Sequence, residues 1–520
     1  MSRALSPAAA KEIFHAGHEI AFLDLREAGQ FADGHPLFAV PCPFSRLELI
    51  IGTLVPRLNV PILLIDANDT VADRAARALE RMGYTDVSIL DGGAPGWAAA
   101  GFTLYQGVNV PSKAMGELAE HRLHPKTIDA KALAAWRTEG REFHFFDCRP
   151  ADEYRKMRVP GSLCMPNGEL AHRFDAVVEN EAPVVLTCAG RTRGITGVLG
   201  LGLAGIGHDV FALENGTQGW FLAGQMLERD NVPLPLAALP PSAQAKTQAR
   251  AKALIAREGL PVTTVDAVLA MRSEAGRTTY LLDVRSDVEA TTAPLPAFTH
   301  ALSGQLVQAT DQWVGVRRAR LVLADDLGLR AAIAAYWLRA LGYDVHILLI
   351  DSFVRDIPPA SLPKPAIRSS TCDADLAWVN IKSGRARLID VRRSDRYCAS
   401  HVAGSIWAVR SRLSRLPLPE GIELLILGDT DDAAALVAQD LTAMGHARVH
   451  VVMGGLGALR AAGAPTETTP NSFNRATAID FTWFAHGRHD GDITASQLYL
   501  EWEQGLVGQL DPEERAEFRI

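Results

Sequence analysis

The chain has 520 residues, 48 % hydrophobic and 22 % charged, with 43 glycines and 29 prolines, an ordinary globular composition too long for one core, so several domains are expected. A net charge of −8 with no long Lys/Arg block argues against nucleic acid and anionic membrane as partners and points to small solutes. The start has no apolar core of signal-peptide length, no run of about 18 apolar residues follows, and the six cysteines form no C-x-x-C pair, so a cytoplasmic protein with reduced thiols and no bound zinc is expected.

Read in chain order, the sequence repeats one pattern four times. A β-rich apolar run ends in aspartate and then arginine two residues on, as "AFLDLR" (Asp24), "HFFDCR" (Asp147), "YLLDVR" (Asp283) and "RLIDVR" (Asp390). These aspartates are 123, 136 and 107 residues apart, spacings of whole domains and longer than solenoid repeats. A second apolar run follows in each repeat ("PILLID", "PVVLTC", "RLVLAD", "ELLILGD"), then a helical stretch such as "ADRAARALERM" or "LRAAIAAYWLRAL". Next comes a helix-terminating glycine (Gly83, Gly207, Gly342, Gly445) before a further strand. Strands alternating with helices predict an α/β fold, each domain a parallel sheet with helices on both faces.

The pattern places domains at residues 1–110, 115–230, 248–358 and 366–468. Pro-rich segments, "LERDNVPLPLAALPPSAQAKTQ" and "IPPASLPKPAIRSS", precede the third and fourth. A tail over 469–520 holds one amphipathic helix with Leu498, Trp502, Leu506 and Leu510 near helical spacing, expected to dock on the array. Ahead of it, "HGRHDGD" (His486 to Asp492) has metal-ligand residue types but reads better as a polar loop. Gly200 to Gly205 fits G-x-G-x-x-G, yet it falls within or at the end of a helix and so does not mark a dinucleotide site.

The segment "LTCAGRTRG" (Leu186 to Gly194) sits in the turn between a strand and the next helix, where open α/β sheets place ligands. Backbone N–H groups, the helix N-terminus and the cations of Arg191 and Arg193 would all favour thiolate at Cys188, so the loop is expected to lower its pKa and make it nucleophilic. In register with Cys188 the first domain has Asp66, the third Asp325 and the fourth Gly428 or Asp429. Those positions carry no thiol, so the three domains are read as inactive copies that lack the nucleophile. Cys148 stands where sister domains have Leu or Val, and is read as a buried apolar residue before a resolving thiol.

Asp147/Arg149, "RVPGS" (Arg158 to Ser162), Cys188 to Arg193 and "NGTQGW" (Asn215 to Trp220) together resemble the rhodanese (sulfurtransferase) superfamily. So do Asp390/Arg392, "HVAGS" (His401 to Ser405) and "GGAPGW" (Gly92 to Trp97), and the likeness runs over roughly residues 10–467 as four tandem domains. The resemblance implies a transferase without metal or organic cofactor. Cys188 would take a sulfane sulfur from a donor as a persulfide and pass it to a thiol, cyanide or protein-cysteine acceptor. Ala189, Gly190, Arg191, Thr192 and Arg193 would cradle the persulfide and donor, with Arg193 binding donor charge or bracing the loop. Asp147 and Arg149 would support the strand end. The two arginines suit a small dianion such as thiosulfate. Two other readings stand beside this one: a Cdc25-like phosphatase or arsenate reductase, whose loop carries one more residue between Cys and Arg, and a non-catalytic sulfur carrier or scaffold.

Overall fold

In a computed structural model the structure describes residues 3–419, 421–470 and 473–520. Four five-stranded sheets, parallel throughout, share one strand order. Numbering the strands of each domain from first to fifth, that order is 1-5-4-2-3 in every case. In the second domain the strands are Thr127–Ile128, His144–Asp147, Leu163–Cys164, Val184–Thr187 and Val210–Leu213. The third domain repeats this with Val262–Thr263, Thr279–Asp283, Thr299–His300, Arg320–Asp325 and Asp344–Leu349. The central strands are buried on both faces, which is why they read as unbroken apolar runs. In the second domain Ile128, Leu133, Phe145, Val185, Leu213 and Trp220 form one such core layer.

The chain divides into two compact units. One holds the first and fourth sheets (residues 1–13, 22–108 and 362–484), the other the second and third sheets with the C-terminal helices (14–21, 109–361 and 485–520). Among the described residues no helix is long and apolar enough to cross a membrane.

The repeated Asp-x-Arg is a buried ion pair that ties off each second strand. Arg149 donates from Nε to Asp147 Oδ1 at 2.9 Å and from Nη2 to Oδ2 at 2.7 Å, and reaches the carbonyl of Met157 at 2.6 Å. The same fork joins Arg26 to Asp24, Arg285 to Asp283 and Arg392 to Asp390. In each case the arginine also bonds a carbonyl eight residues on, at Gly34, Ala293 or Ser400, so one guanidinium fixes the strand end and the turn beyond the next helix.

Several details differ from the sequence expectations. Gly83, Gly342 and Gly445 take positive φ just after their helices, but in the second domain Gly205 does so (φ +72°) and Gly207 does not. Helix Thr192–Leu203 stops two residues earlier than the neighbouring "IGHDV" implied, and Gly200 and Gly202 lie inside it. The Pro-rich segment ahead of the third domain is helical in its second half, because Pro241 opens helix Pro241–Glu258 at a position where proline's missing N–H costs nothing. The tail holds two helices, Ile493–Gln509 and Pro512–Ala516. The buried face of the longer one carries Ala495, Ser496, Tyr499, Leu500, Trp502, Glu503 and Leu506, while Leu498 is exposed and Leu510 is the C-cap.

Asp147→Ala leaves the Arg149 guanidinium buried without its carboxylate. Unfolding by denaturant is expected to show a loss of about 3–5 kcal/mol in the second domain, the usual cost of breaking one side of a buried pair.

Candidate active site: the loop after strand Val184–Thr187

Strand Val184–Thr187 ends against Cys188, and helix Thr192–Leu203 begins four residues later, so the intervening backbone turns its N–H groups inward. Those of Gly190 and Gly194 point at the Cys188 sulfur and favour its thiolate. The back of the loop is held by the "NGTQGW" segment: Thr217 N–H donates to the Cys188 carbonyl at 2.8 Å, and the Thr217 hydroxyl to the Ala189 carbonyl at 3.3 Å. Gly216, at φ +55°, lies so close to the Cys188 carbonyl that a Cβ there would overlap it. This explains a glycine in that motif.

The aspartates in register with Cys188 fill the same cradle with their own carboxylates. Asp66 accepts from the N–H groups of Asn68 (2.8 Å) and Ala72 (3.0 Å), two and six residues on, the same offsets as Gly190 and Gly194 from Cys188. Asp325 accepts from Asp326 N (3.0 Å), Ala331 N (3.2 Å) and Arg330 Nε (2.9 Å). In the fourth domain Gly428 holds the position: a Cβ on it would fall 3.0 Å from Ala434 N, six residues on. Asp429 instead pairs with Arg396 at 2.6 Å.

Both loop arginines are engaged. Arg193 makes a bidentate pair with Glu153 (2.6 and 2.8 Å) and lies 3.4 Å from Gln305 Oε1. Burial alone would raise the Glu153 carboxyl, but Arg193 beside it holds it down at about 2. Arg191 bonds Glu117 (2.8 and 3.1 Å) and Glu120 on helix Val110–Leu123. There burial outweighs the arginine and, with Glu503 and Glu120 close by, pushes Glu117 up to about 7.

The C-terminal helix supplies a further carboxylate. Glu503 accepts from the Thr192 hydroxyl at 2.7 Å and the Thr192 N–H at 3.4 Å, with Lys113 Nζ 3.6 Å away. Lys113 in turn donates to the Tyr499 hydroxyl at 2.6 Å. A fully buried thiol beside an added carboxylate is the opposite of the electropositive pocket expected from the sequence. Burial raises the Cys188 pKa, Arg193 and the two N–H groups pull it down, Glu503 pushes it up again, and the net shift is upward. Cys148 is buried too, and burial with Cys188 and Asp147 nearby raises its thiol strongly, as an apolar packing residue would show.

Sequence reasoning brought Cys188 to Arg193 together but missed Glu153, Glu117, Glu120, Lys113, Tyr499 and Glu503. Glu153 had a readable signal, since it lies four residues after Arg149 as Glu289 does after Arg285. The others come from distant helices. Among the described residues one histidine–carboxylate group lies at metal-ligand range, His172, Glu289 and Asp326, but Arg330 bonds both carboxylates and Arg173 bonds Glu289, so guanidinium groups hold the cation's place.

Parallel α/β sheets in the order 1-5-4-2-3, one with a cysteine cradled by backbone N–H groups at its carboxyl edge, define a class of small α/β domains. The chain belongs to the family of rhodanese-like domains, which matches residues 6–100, 129–223 and 373–462; the sheet spanning Val262 to Leu349 repeats the topology outside those matches. It is similar along its whole length to a crystal structure of a thiosulfate sulfurtransferase from Pseudomonas aeruginosa, at 36 % identity and TM-score 0.92, covering 100 % of this chain and 99 % of that one. An uncharacterized protein, YqhL of Bacillus subtilis (strain 168), is 34 % identical over 88 residues, 17 % of this chain and 68 % of its own.

With the thiol raised, the rate of Cys188 alkylation by a neutral reagent is expected to titrate with a midpoint above the ordinary thiol value of about 8.5. Peptide mass mapping across a pH series reads it at Cys188 alone.

Proposed function

We propose that this protein is a sulfurtransferase whose second domain moves sulfane sulfur through a Cys188 persulfide, with thiosulfate as donor and a thiol, cyanide or protein cysteine as acceptor. One observation carries the reading: Cys188 is the residue whose side chain faces the N–H cradle as a sulfur, where the first and third domains place carboxylates. The thiolate attacks the outer sulfur of the donor, the S–S bond breaks, and sulfite leaves with the electron pair. Acceptor attack on the persulfide's outer sulfur then returns Cys188 as thiolate. The cradle N–H groups stabilise anionic sulfur in both steps. The thiosulfate sulfurtransferase likeness over the full chain supports the donor class.

Asp66, Asp325 and Gly428 make the first, third and fourth domains non-transferring in this reading. Arg193 braces the loop, since its guanidinium is paired bidentately with Glu153. Asp147 and Arg149 support the strand end beside it. The phosphatase and carrier readings predict no thiosulfate turnover, so that assay separates them from the sulfurtransferase.

Cys188→Ser is expected to abolish thiosulfate-to-acceptor transfer with the fold intact. In the wild-type protein, incubation with thiosulfate should add one sulfur atom at Cys188 by intact mass, and a thiosulfate-treated protein without that gain would sink the reading. Arg193→Ala, which strands Glu153 and loosens the loop, is expected to slow persulfide formation and persulfide discharge alike. Each should fall by about ten- to a hundredfold, the worth of a charge-assisted hydrogen bond. Stopped-flow resolution of the two half-reactions distinguishes this from donor binding, which would slow formation alone.

A further inference from the structure

The C-terminal helix places an anion where the loop is built to receive one. Glu503 is 1 % exposed, as closely enclosed as any core residue, although it is charged and sits on a helix that covers a surface loop. Its Oε1 takes hydrogen bonds from the hydroxyl and N–H of Thr192, the first residue of the helix whose N-terminus closes the cradle. Its Oε2 is buried with no hydrogen-bond partner, a costly state for a carboxylate oxygen. The helix presses directly on the loop backbone: a Cβ built on Gly190 would fall 2.5 Å from Glu503 Oε2 and 2.8 Å from Tyr499 Cε1. Gly190 does not have a positive φ, so close approach by this helix is what requires glycine there.

The groups around the carboxylate hold it charged. Lys113 lies 3.6 Å away, and Arg191 adds its field, so the Glu503 carboxyl sits below its ordinary value despite burial. Because Arg191 and Arg193 are each paired with glutamates of their own, no loop cation is left without a carboxylate to draw in a small anion.

We propose that Glu503 is an anion gate on the Cys188 loop: its carboxylate occupies the place at which the charged end of a donor would accept hydrogen bonds from Thr192, so an anionic donor enters only as helix Ile493–Gln509 yields. The inference rests on reading the loop as the sulfur-transfer site, and it names what that site discriminates by. Neutral reagents meet only the steric cover of Tyr499 and Glu503. Small anions meet the cover and a like charge in a poorly solvated place, where repulsion is stronger than in water.

Alkylation of Cys188 in the full-length protein tests this without requiring turnover. The ratio of iodoacetamide to iodoacetate rates, read by peptide mass at Cys188, is expected to exceed the same ratio for glutathione by about tenfold. Glu503→Gln keeps an oxygen for Thr192 and removes the charge; it is expected to bring the ratio back to that of glutathione and to lower KM for thiosulfate. Glu501→Gln, which removes an exposed carboxylate from the same helix, should alter neither. A wild-type ratio equal to that of glutathione overturns the gate, and so does a Glu503→Gln protein that reacts faster with both reagents by the same factor, because the carboxylate would then act on the ionisation of the thiol and not on the charge of the reagent. Gated alkylation in a protein inert to thiosulfate would instead refute the sulfur-transfer reading and support the gate.

Discussion

The turn between the fourth strand and its helix gathers backbone N–H groups that have no partner within the helix, and the whole architecture depends on how that cradle is filled. Such groups are costly to bury unsatisfied and bind anions well. The first and third domains fill it with Asp66 and Asp325, whose carboxylates take up N–H groups two and six, or one and six, residues on. The fourth leaves the position to Gly428, with no side chain to offer. In the second domain the occupant is the sulfur of Cys188, and Glu503 bonds the next N–H along, that of Thr192. Aspartate in place of cysteine therefore preserves the electrostatic solution while offering no thiol, which accounts for repeats that keep the fold without keeping the thiol.

The arginines belong to the same framework. Arg330 follows Asp325 by five residues as Arg193 follows Cys188, and each pairs with the glutamate four residues after its domain's Asp-x-Arg arginine, Glu289 or Glu153. A pair that persists in a domain without the cysteine serves first to hold the helix start against the second strand's turn. Burial strengthens the demand: Arg330 is wholly enclosed and touches Asp325, Asp326, Glu169 and Glu289, so removing its charge would strand several carboxylates at once. In the second domain Arg191 and Arg193 are matched by three glutamates, and the thiol's own charge is decided by burial, Arg193, Glu503 and the N–H groups.

Local regularities were legible in the sequence, and long-range meetings were not. The four-fold repeat, the Asp-x-Arg strand ends, the parallel α/β class and Cys188's position in the turn all follow from patterns within a few residues of one another. Gly205 was misplaced as Gly207 because both lie between the helix and the strand, and only the backbone shows which one turns left-handed. The tail helix buries Trp502 and Leu506 as expected but not Leu498, and its other buried residues were missed. Leu498, Trp502, Leu506 and Leu510 make the better apolar stripe, but the helix buries Tyr499 and Glu503 because Lys113 and Thr192 offer them partners. A charged residue inside an apolar face breaks the periodicity rule, and such breaks gather where polar partners from distant segments converge. The Cys188 pKa was misjudged by the same omission, since the loop's own cations were visible in the sequence while the glutamates that neutralise them come from residues 117, 120, 153 and 503.

A filled cradle also bears on how donors are chosen. When the binding-competent state is one in which helix Ile493–Gln509 has moved aside, the apparent affinity of any donor is its intrinsic affinity reduced by the fraction of molecules in that state. A small dianion offers few contacts to offset the loss of Glu503's bonds to Thr192 and the exposure of Tyr499, Trp502 and Leu506, all now buried. A donor that brings apolar surface of its own, as a persulfide carried on a larger molecule does, would replace those contacts while delivering sulfur to Cys188. In the gate we propose, the helix that keeps anions from the thiol would also favour donors by the surface they cover as much as by the charge they carry, a selectivity that the loop sequence Cys188 to Arg193 could not supply alone.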